Sequence, residues 1–406
     1  MQKTANDLCD FSRRNQVGIL GVHSTNCALD IFVSIFLVSR LLSMSDGNFS
    51  KVAFFYAVCW SGLMLTFWLF SYVVKKFSRV WCIRASTFGL LSSVILVLLL
   101  RDSLDQYYLI LGAIYGLSLG IYWCSMHTFT SEALGGAKMS RYTALYVGIT
   151  TFVRVVAPLT LGAIIEFVDF AAAAAIATGL AAVLLMFTLI LRDNRKSQGK
   201  GFSMRAFFEH IRRENIARPI FLQFWIQAFF GILLLASVAI TVLVALTFKD
   251  DFALGYFTSA FAAASIITLT CYKAIRSPRA KAFVLHILSA LPLLGAIGLL
   301  FGLSPATVIM CQAGFLTFKT AADSEFERTR LNLMADFGAE HLHTEGLLFI
   351  ELGYGMARTV GLGLLLLAYF SGTFYFFRVF IFALMCIMLI GIVLLQLWRR
   401  KYKLKS

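Results

Sequence analysis

The chain has 406 residues, of which 59% are hydrophobic and 14% charged, and its mean hydropathy is +0.81. Soluble domains are roughly 45–50% apolar and about 25% charged, so this composition excludes a soluble globular protein. The formal charge of +15 is divided among short stretches between apolar runs, which argues against nucleic-acid binding. The eight cysteines form no CxxC pair or Cys/His cluster, and no nucleotide-binding motif is present, so we expect neither a metal nor a cofactor.

Twelve apolar stretches follow one another along the chain. A helix needs about 20 mostly apolar residues to cross a bilayer, and each stretch is long enough. The pattern predicts an all-α integral membrane protein with twelve spans, no cleaved signal peptide and one long polar connection. The predicted spans are 16–39, 52–74, 80–100, 106–129, 141–166, 170–191, 219–247, 252–274, 282–302, 306–329, 346–369 and 374–397.

Lysine and arginine are distributed unequally between the two sides of these spans. The odd-numbered connections hold four, whereas the termini and the even-numbered connections, with the helix ends that adjoin them, hold 28. Cytoplasmic segments carry the excess of positive charge, so both termini are predicted to be cytoplasmic. We therefore expect a multi-pass protein of the inner (plasma) membrane that is surrounded by membrane lipids.

The two halves of the chain match when one is shifted by 204 residues. Basic turns then coincide, and Arg154 falls on Arg358. Parallel six-helix repeats of this kind are typical of a large class of transporters. We therefore predict a six-helix bundle in 1–191, a cytoplasmic central loop in 192–218 and a second six-helix bundle in 219–406.

The turn between the second and third spans carries a recognisable motif. It reads Ser71-Tyr-Val-Val-Lys-Lys-Phe-Ser-Arg79 and resembles the Gly-x-x-x-Asp-Arg-x-Gly-Arg pattern of the major facilitator superfamily. Lys76 and Arg79 match the family in charge, whereas Lys75 replaces its acidic residue. The chain resembles an uncharacterised bacterial-type member of this superfamily along nearly its whole length. The resemblance implies a gating role for Lys76 and Arg79, with an altered charge relay.

The fifth span resembles a degenerate form of the Gly-x-x-x-Gly-Pro-x-x-Gly motif found in antiporters of the family. The stretch runs from Gly148 to Gly162 and contains Pro158. Small residues let helices approach closely and proline bends a helix, so Pro158 and Gly162 are candidate gating residues. An ordinary packing face of glycine and alanine would give the same pattern, and both interpretations stay open.

Charged residues inside spans are costly and point to function. Asp30 in the first span and Arg154 in the fifth are predicted to lie at similar depth, so we expect an ion pair that serves proton coupling or clamps the fold. His23 is two turns from Asp30 on the same helix and is a candidate proton carrier. A hydrogen-bonded packing histidine is the alternative for His23.

Arg358 lies in the eleventh span. Under the 204-residue shift Asp30 falls on Leu234, so the second half lacks the acid that would pair with Arg358. An unpaired arginine would attract a substrate carboxylate or phosphate. The alternative is a partner elsewhere, such as Glu351 or Asp323.

Lys319 and Asp323 share one face of the tenth span at i,i+4 and either neutralise each other or contact substrate. Two amides, Gln227 and Gln312, are further candidates for substrate contact or interhelical hydrogen bonds.

The central loop alternates aromatic and basic residues between Phe202 and Arg213. This pattern predicts a short amphipathic helix that lies on the inner leaflet.

These features predict a monomeric secondary transporter working by alternating access. It would be coupled to protons and move a small solute with anionic character. The alternative is an exporter or facilitator of hydrophobic or amphipathic compounds, including lipids. A membrane-embedded enzyme or a non-transporting receptor fits less well, because no soluble loop could carry a catalytic set and no long signalling extension is present.

Overall fold

The structure is a computed structural model that describes residues 2–133, 137–192, 201–248, 250–336, 342–370 and 374–402. These residues form fourteen α-helices joined mostly by short turns. The helices are α1 (Gln2–Ile31), α2 (Val38–Met44), α3 (Ser50–Lys76), α4 (Arg79–Leu99), α5 (Leu104–Ala133), α6 (Ala137–Phe167), α7 (Phe170–Ile190), α8 (Met204–Arg213), α9 (Ala217–Phe248), α10 (Asp251–Ala274), α11 (Pro278–Phe301), α12 (Pro305–Asp336), α13 (His343–Phe370) and α14 (Phe374–Tyr402).

The first span is one long helix with an irregular stretch in its outer part. A six-residue π-helical segment, Phe32–Leu37, joins α1 to α2 directly. The segment begins two residues after Asp30, and five of its six side chains are buried. Such π-helical turns are rare and frequent at functional sites. The sequence analysis did not predict this segment.

Eleven helices of the described residues are long and apolar enough to cross a membrane. The predicted tenth span, 306–329, coincides with α12, which is 32 residues long but is not among the eleven. Its helix carries Gln312, Lys319, Asp323 and Glu325, so its apolar character is lower. The helices therefore follow the predicted order, and the helix at the predicted tenth span is the one that length and composition do not identify as a span.

Short polar residues start several of the helices. Asp169 accepts a hydrogen bond from the Ala172 amide at the start of α7, and Ser203 does the same for Ala206 at the start of α8. Asp250 and Ser277 cap α10 and α11 in the same way. Each cap satisfies an amide that the helix itself leaves without a partner.

The chain divides into two compact units. One contains Met1–Leu37 and Val58–Phe202, and the other contains Val38–Ala57 and Ser203–Ser406. The division at Phe202 falls within the predicted central loop. The predicted boundaries placed 38–57 with the N-terminal bundle, whereas the contacts of this stretch lie in the second unit. Phe49, for example, packs against Phe377 of α14 with ring centroids 4.9 Å apart.

Helix bounds in the two halves follow the predicted 204-residue shift. Shifted by 204, α6 covers 341–371, and α13 is His343–Phe370. The same shift moves α4 to 283–303, and α11 is Pro278–Phe301. The halves are thus in register along the chain, whereas their superposition in space stays a prediction.

Glycine allows close helix packing at several positions of each unit. A Cβ atom at Gly116 of α5 would collide with the backbone of Cys59 in α3, and one at Gly295 of α11 would collide with the backbone of Cys311 in α12. Helices in membranes associate through such small residues because lipid supplies no hydrophobic drive. Gly148 differs, since nothing lies within 4 Å of a Cβ built there. Gly148, the first residue of the antiporter-like stretch, therefore makes no close helix contact.

The amphipathic helix of the central loop is α8, and it does not lie with its apolar face on the leaflet. Phe207 and Ile211 are buried in the second unit, where the ring of Phe207 lies 5.8 Å from that of Phe349. Glu345 accepts a hydrogen bond of 2.9 Å from the Ser203 amide. The prediction that the apolar face of α8 lies on the leaflet is therefore corrected, because that face packs on α13.

Candidate functional site

Asp30 lies on α1 with an exposed side chain. The hydroxyl of Tyr115, a buried residue of α5, donates to its Oδ1 over 3.4 Å. An ionisable side chain inside a span is costly and points to a functional site. The sequence analysis identified Asp30 but not Tyr115, since nothing in the sequence links α1 to that tyrosine.

Arg154 is exposed on α6, and the contacts between α1 and α6 fix its depth. His23 packs on Tyr146, and the sulfur of Cys27 lies 3.8 Å from the carbonyl oxygen of Thr150. In each pair the two residues are 123 positions apart in the sequence. The same separation from Asp30 leads to position 153, one residue before Arg154. The two side chains are therefore at the same level of the first unit, as predicted. Their ion pair stays a prediction.

His23 is buried among aromatic rings one to two turns below Asp30. Its Nδ1 lies 3.1 Å from the hydroxyl of the fully buried Tyr122. Its ring stacks on Trp123 at 5.8 Å and meets Tyr146 edge-on at 4.9 Å. This environment supports the packing interpretation of His23 as well as the proton-carrier interpretation. A further stacking contact joins Trp123 to His127 at 5.2 Å.

Arg358 is buried on α13 and forms an ion pair with Glu351, with 3.0 Å between Nη2 and Oε1. The hypothesis of an arginine without an acidic partner is therefore wrong. The 204-residue shift led to Leu234 and so to no acid, whereas the partner is Glu351, the alternative named from the sequence, two turns away on the same helix. A long arginine and a long glutamate can bridge that spacing.

The guanidinium of Arg358 also lies over one ring of an aromatic stack. Its Cζ is 3.5 Å from the centroid of the Tyr354 ring. Tyr354 stacks on Phe230 of α9 at 5.4 Å, and Phe230 contacts Phe326 of α12 at 5.3 Å. A cation over an aromatic face is stabilised by the ring quadrupole, most strongly where water is excluded. The stack holds the arginine between three helices of the second unit.

Lys319 and Asp323 form the predicted pair on α12, with 2.6 Å between Nζ and Oδ2. The ion pair that the i,i+4 spacing offered as one alternative is thus present, and contact of either residue with substrate stays a prediction. Gln312 lies two turns before Lys319, and its Nε2 donates to the hydroxyl of Thr258 on α10 over 3.3 Å. This contact is the interhelical hydrogen bond offered as the plain interpretation of Gln312. Gln227 is buried on α9, where it stays a candidate for substrate contact.

The predicted gating residues lie in two places of the first unit. Lys76 ends α3 with its Nζ 4.5 Å from the ring centroid of Tyr72, and the buried Arg79 begins α4. Pro158 and Gly162 are buried inside α6. The structure thus puts these residues at helix ends and inside the continuous helix α6, and their part in gating stays a prediction.

Solved structures share this arrangement of helices over nearly the whole chain. The POT family transporter PepTSo gives a TM-score of 0.69 at 11% identity, covering 97% of this chain and 99% of that one. The inward-facing structure of a bacterial homologue of the iron transporter ferroportin gives 0.66 at 15% identity, covering 96% and 98%. The nucleoside transporter NupG gives 0.65 at 13% identity, covering 96% and 99%. At such identities the likeness defines the fold, which is that of multi-pass transporters.

The sequence itself matches the Major Facilitator Superfamily over residues 20–322. The chain belongs to this family, as its motifs predicted. It is a multi-pass membrane protein of this transporter family. An uncharacterized protein in the sodM 3′ region of Geobacillus stearothermophilus is 25% identical over 139 residues, which are 34% of this chain and 65% of that protein. The match thus spans less than two thirds of that relative.

Proposed function

We propose that this transporter couples solute movement to protons, with Asp30 as the protonatable group. The observation that carries the proposal is the exposed mid-span carboxylate of Asp30, hydrogen-bonded by the Tyr115 hydroxyl. Ionisable residues in spans are costly and mark ion pathways, proton relays and substrate sites. Arg154, at the same depth, would favour the charged form of Asp30, and its influence would change as the helices move. His23 would relay the proton towards the cytoplasm through the aromatic cluster.

The proposed substrate has anionic character and contacts the second unit. Arg358 and Lys319 supply positive charge there, and Asp323, Gln227 and Gln312 supply hydrogen-bonding groups. Both cations already have carboxylate partners, at 3.0 and 2.6 Å. An anionic substrate group would therefore bind by replacing a carboxylate that the protein itself provides.

Gating and orientation complete the proposal. Lys76 and Arg79 would hold the cytoplasmic turn, while Pro158 and Gly162 would allow α6 to bend. The termini and even-numbered connections hold 28 basic residues and the odd-numbered connections hold four, which supports cytoplasmic termini in the inner (plasma) membrane. We propose a monomer surrounded by lipid.

An exporter or facilitator of hydrophobic compounds or lipids is the second candidate. It is favoured by α6, whose candidate span Leu145–Phe167 is the least buried of the eleven, at 22%. Phe152 is 65% exposed on this helix. A hydrophobic substrate reaching the protein from the bilayer would use such a surface.

Transport by purified protein in liposomes tests the proposal. An imposed proton gradient should drive accumulation of a solute from a panel of carboxylates, phosphates and amphipathic dyes. Asp30→Asn should abolish gradient-driven accumulation and spare solute exchange, because the neutral amide cannot carry the proton. Asp102→Asn is the matched control, because Asp102 lies between α4 and α5 and its side chain is 78% exposed. Full gradient-driven activity in Asp30→Asn would eliminate Asp30 as the coupling residue.

A further inference from the structure

Arg84 is a charged residue of α4 that the proposed transport cycle does not use. It follows Arg79, the first residue of the helix, by five positions and is therefore about 7.5 Å further along the helix axis. Its side chain is half-buried. Within the part of the chain that the structure describes, its Nε is enclosed and has no hydrogen-bond partner. A charged group at this depth in a span is costly unless a partner is supplied.

The sequence around Arg84 provides no acidic residue. No aspartate or glutamate occurs between Asp46 and Asp102, a stretch that contains the whole of α3 and α4. The turn that joins the two helices is basic, with Lys76 before it and Arg79 after it. This end of the helix pair therefore carries positive charge that neither helix compensates.

The guanidinium of Arg84 lies over an exposed indole ring. Its Cζ is 5.2 Å from the ring centroid of Trp81, which is one turn nearer the start of α4 and 66% exposed. The side chain thus runs back towards the basic turn, which is the usual direction of long side chains on a helix. Tryptophan is enriched at the membrane interface, and arginines near helix ends reach out of the hydrocarbon to the same level. The pair is therefore placed at the depth of the lipid headgroups.

An exposed apolar stripe continues along α4 from this pair. Trp81, Phe88 and Ile95 are spaced by seven residues, so they lie on one side of the helix, and all three are exposed. A cation at the end of such a stripe matches the two parts of an anionic phospholipid, a phosphate and acyl chains. A free anion would use only the cation, and a second apolar helix would use only the stripe.

We propose that α4 binds an anionic phospholipid, with the phosphate on Arg84 beside Trp81 and the acyl chains along Phe88 and Ile95. The outer guanidinium nitrogens donate to the phosphate oxygens, a pairing that is stronger than a hydrogen bond between neutral groups. The indole face stabilises the cation at this level. Lys76 at the basic turn adds attraction for a negative headgroup, so phosphatidylglycerol binds in preference to phosphatidylcholine. This binding does not depend on which solute is transported or on how transport is coupled.

Quenching of tryptophan fluorescence by brominated lipid tests the site. The purified protein is reconstituted into phosphatidylcholine vesicles with an increasing fraction of phosphatidylglycerol or phosphatidylcholine that carries brominated acyl chains. The contribution of Trp81 is the difference between the wild type and Trp81→Phe, which keeps an aromatic ring beside Arg84. Brominated phosphatidylglycerol should associate with Trp81 about fivefold more strongly than brominated phosphatidylcholine.

Variants of two arginines of the first unit assign the preference to one charge. Arg84→Gln should make the two lipids equal at Trp81, and Arg84→Lys should retain most of the preference because the ammonium keeps the charge. Arg101→Gln is the matched control. It removes a positive charge just after the other end of α4, where the Nε of Arg101 lies 3.4 Å from Oδ2 of Asp102, and should behave as the wild type. Thermal unfolding in detergent checks that each variant is folded.

Several outcomes would overturn the phospholipid site. Equal quenching of Trp81 by the two brominated lipids in the wild type, or an undiminished preference in Arg84→Gln, would do so. Weak quenching by both lipids would show that a second copy of the chain covers this face, and displacement by millimolar inorganic phosphate would assign Arg84 to a free anion. Raising the salt concentration should lower the wild-type preference by screening, which keeps the site testable should Arg84→Gln fail to fold. A preference that does not respond to salt contradicts binding through the charge.

Discussion

Lys319 and Asp323 lie one turn apart on α12, with side chains 13% and 22% exposed. Removal of one partner from such a pair leaves a charge without compensation in a region of low dielectric. The loss is typically about 3–5 kcal/mol, whereas replacement of both partners by uncharged residues is often tolerated.

We therefore expect Lys319→Met and Asp323→Asn each to lower the thermal stability of the purified protein, and the double variant to recover most of the loss. The measurement is a double-mutant cycle on melting temperature in detergent. Glu209→Gln at the exposed pair of α8 should change stability by less than about 1 kcal/mol. Additive losses in the double variant would show that the two residues act independently.

Helices pack closely where glycine removes a side chain. Gly116→Ala should destabilise the first unit, because the new methyl group would meet the Cys59 backbone, which cannot move without shifting α3. Gly148→Ala is the matched control on a helix with open space around it, and alanine there should raise stability by roughly 0.4–1 kcal/mol. Unfolding in detergent, followed by loss of near-ultraviolet circular dichroism, measures both. Equal effects at the two positions would contradict the packing described for α5.

The docking of α8 on the second unit gives a second prediction at this scale. Phe207 is fully buried and contacts Phe349, so Phe207→Ala should release the helix at a cost of about 3–5 kcal/mol. Hydrogen exchange should then become faster throughout Met204–Arg213. Phe208→Ala provides the comparison, since that ring is 41% exposed and its removal should have a smaller effect. Unchanged exchange in Phe207→Ala would show that α8 is held by other contacts.

Orientation in the membrane concerns the molecule as a whole. In a variant without the eight native cysteines, Arg205→Cys should react with an impermeant maleimide only in inverted vesicles, because the central loop is predicted to be cytoplasmic. Arg205 is 90% exposed, so its accessibility is not limited by packing. Ser103→Cys, between α4 and α5, should react from the outside of intact cells. The opposite labelling pattern would reverse the predicted topology.

The sequence by itself determined the helical membrane fold, the order of the spans, the family and the placement of Lys319 and Asp323 on one helix face. Hydropathy and i,i+4 spacing are local properties, and a bilayer requires each apolar segment to satisfy its own backbone. The tertiary structure decided that Arg358 pairs with Glu351, that Tyr115 donates to Asp30, that α8 packs on α13 and that Gly148 lies in open space. These features depend on which helix faces which, and on where long side chains end, because several partners in the sequence satisfy the same charge equally well.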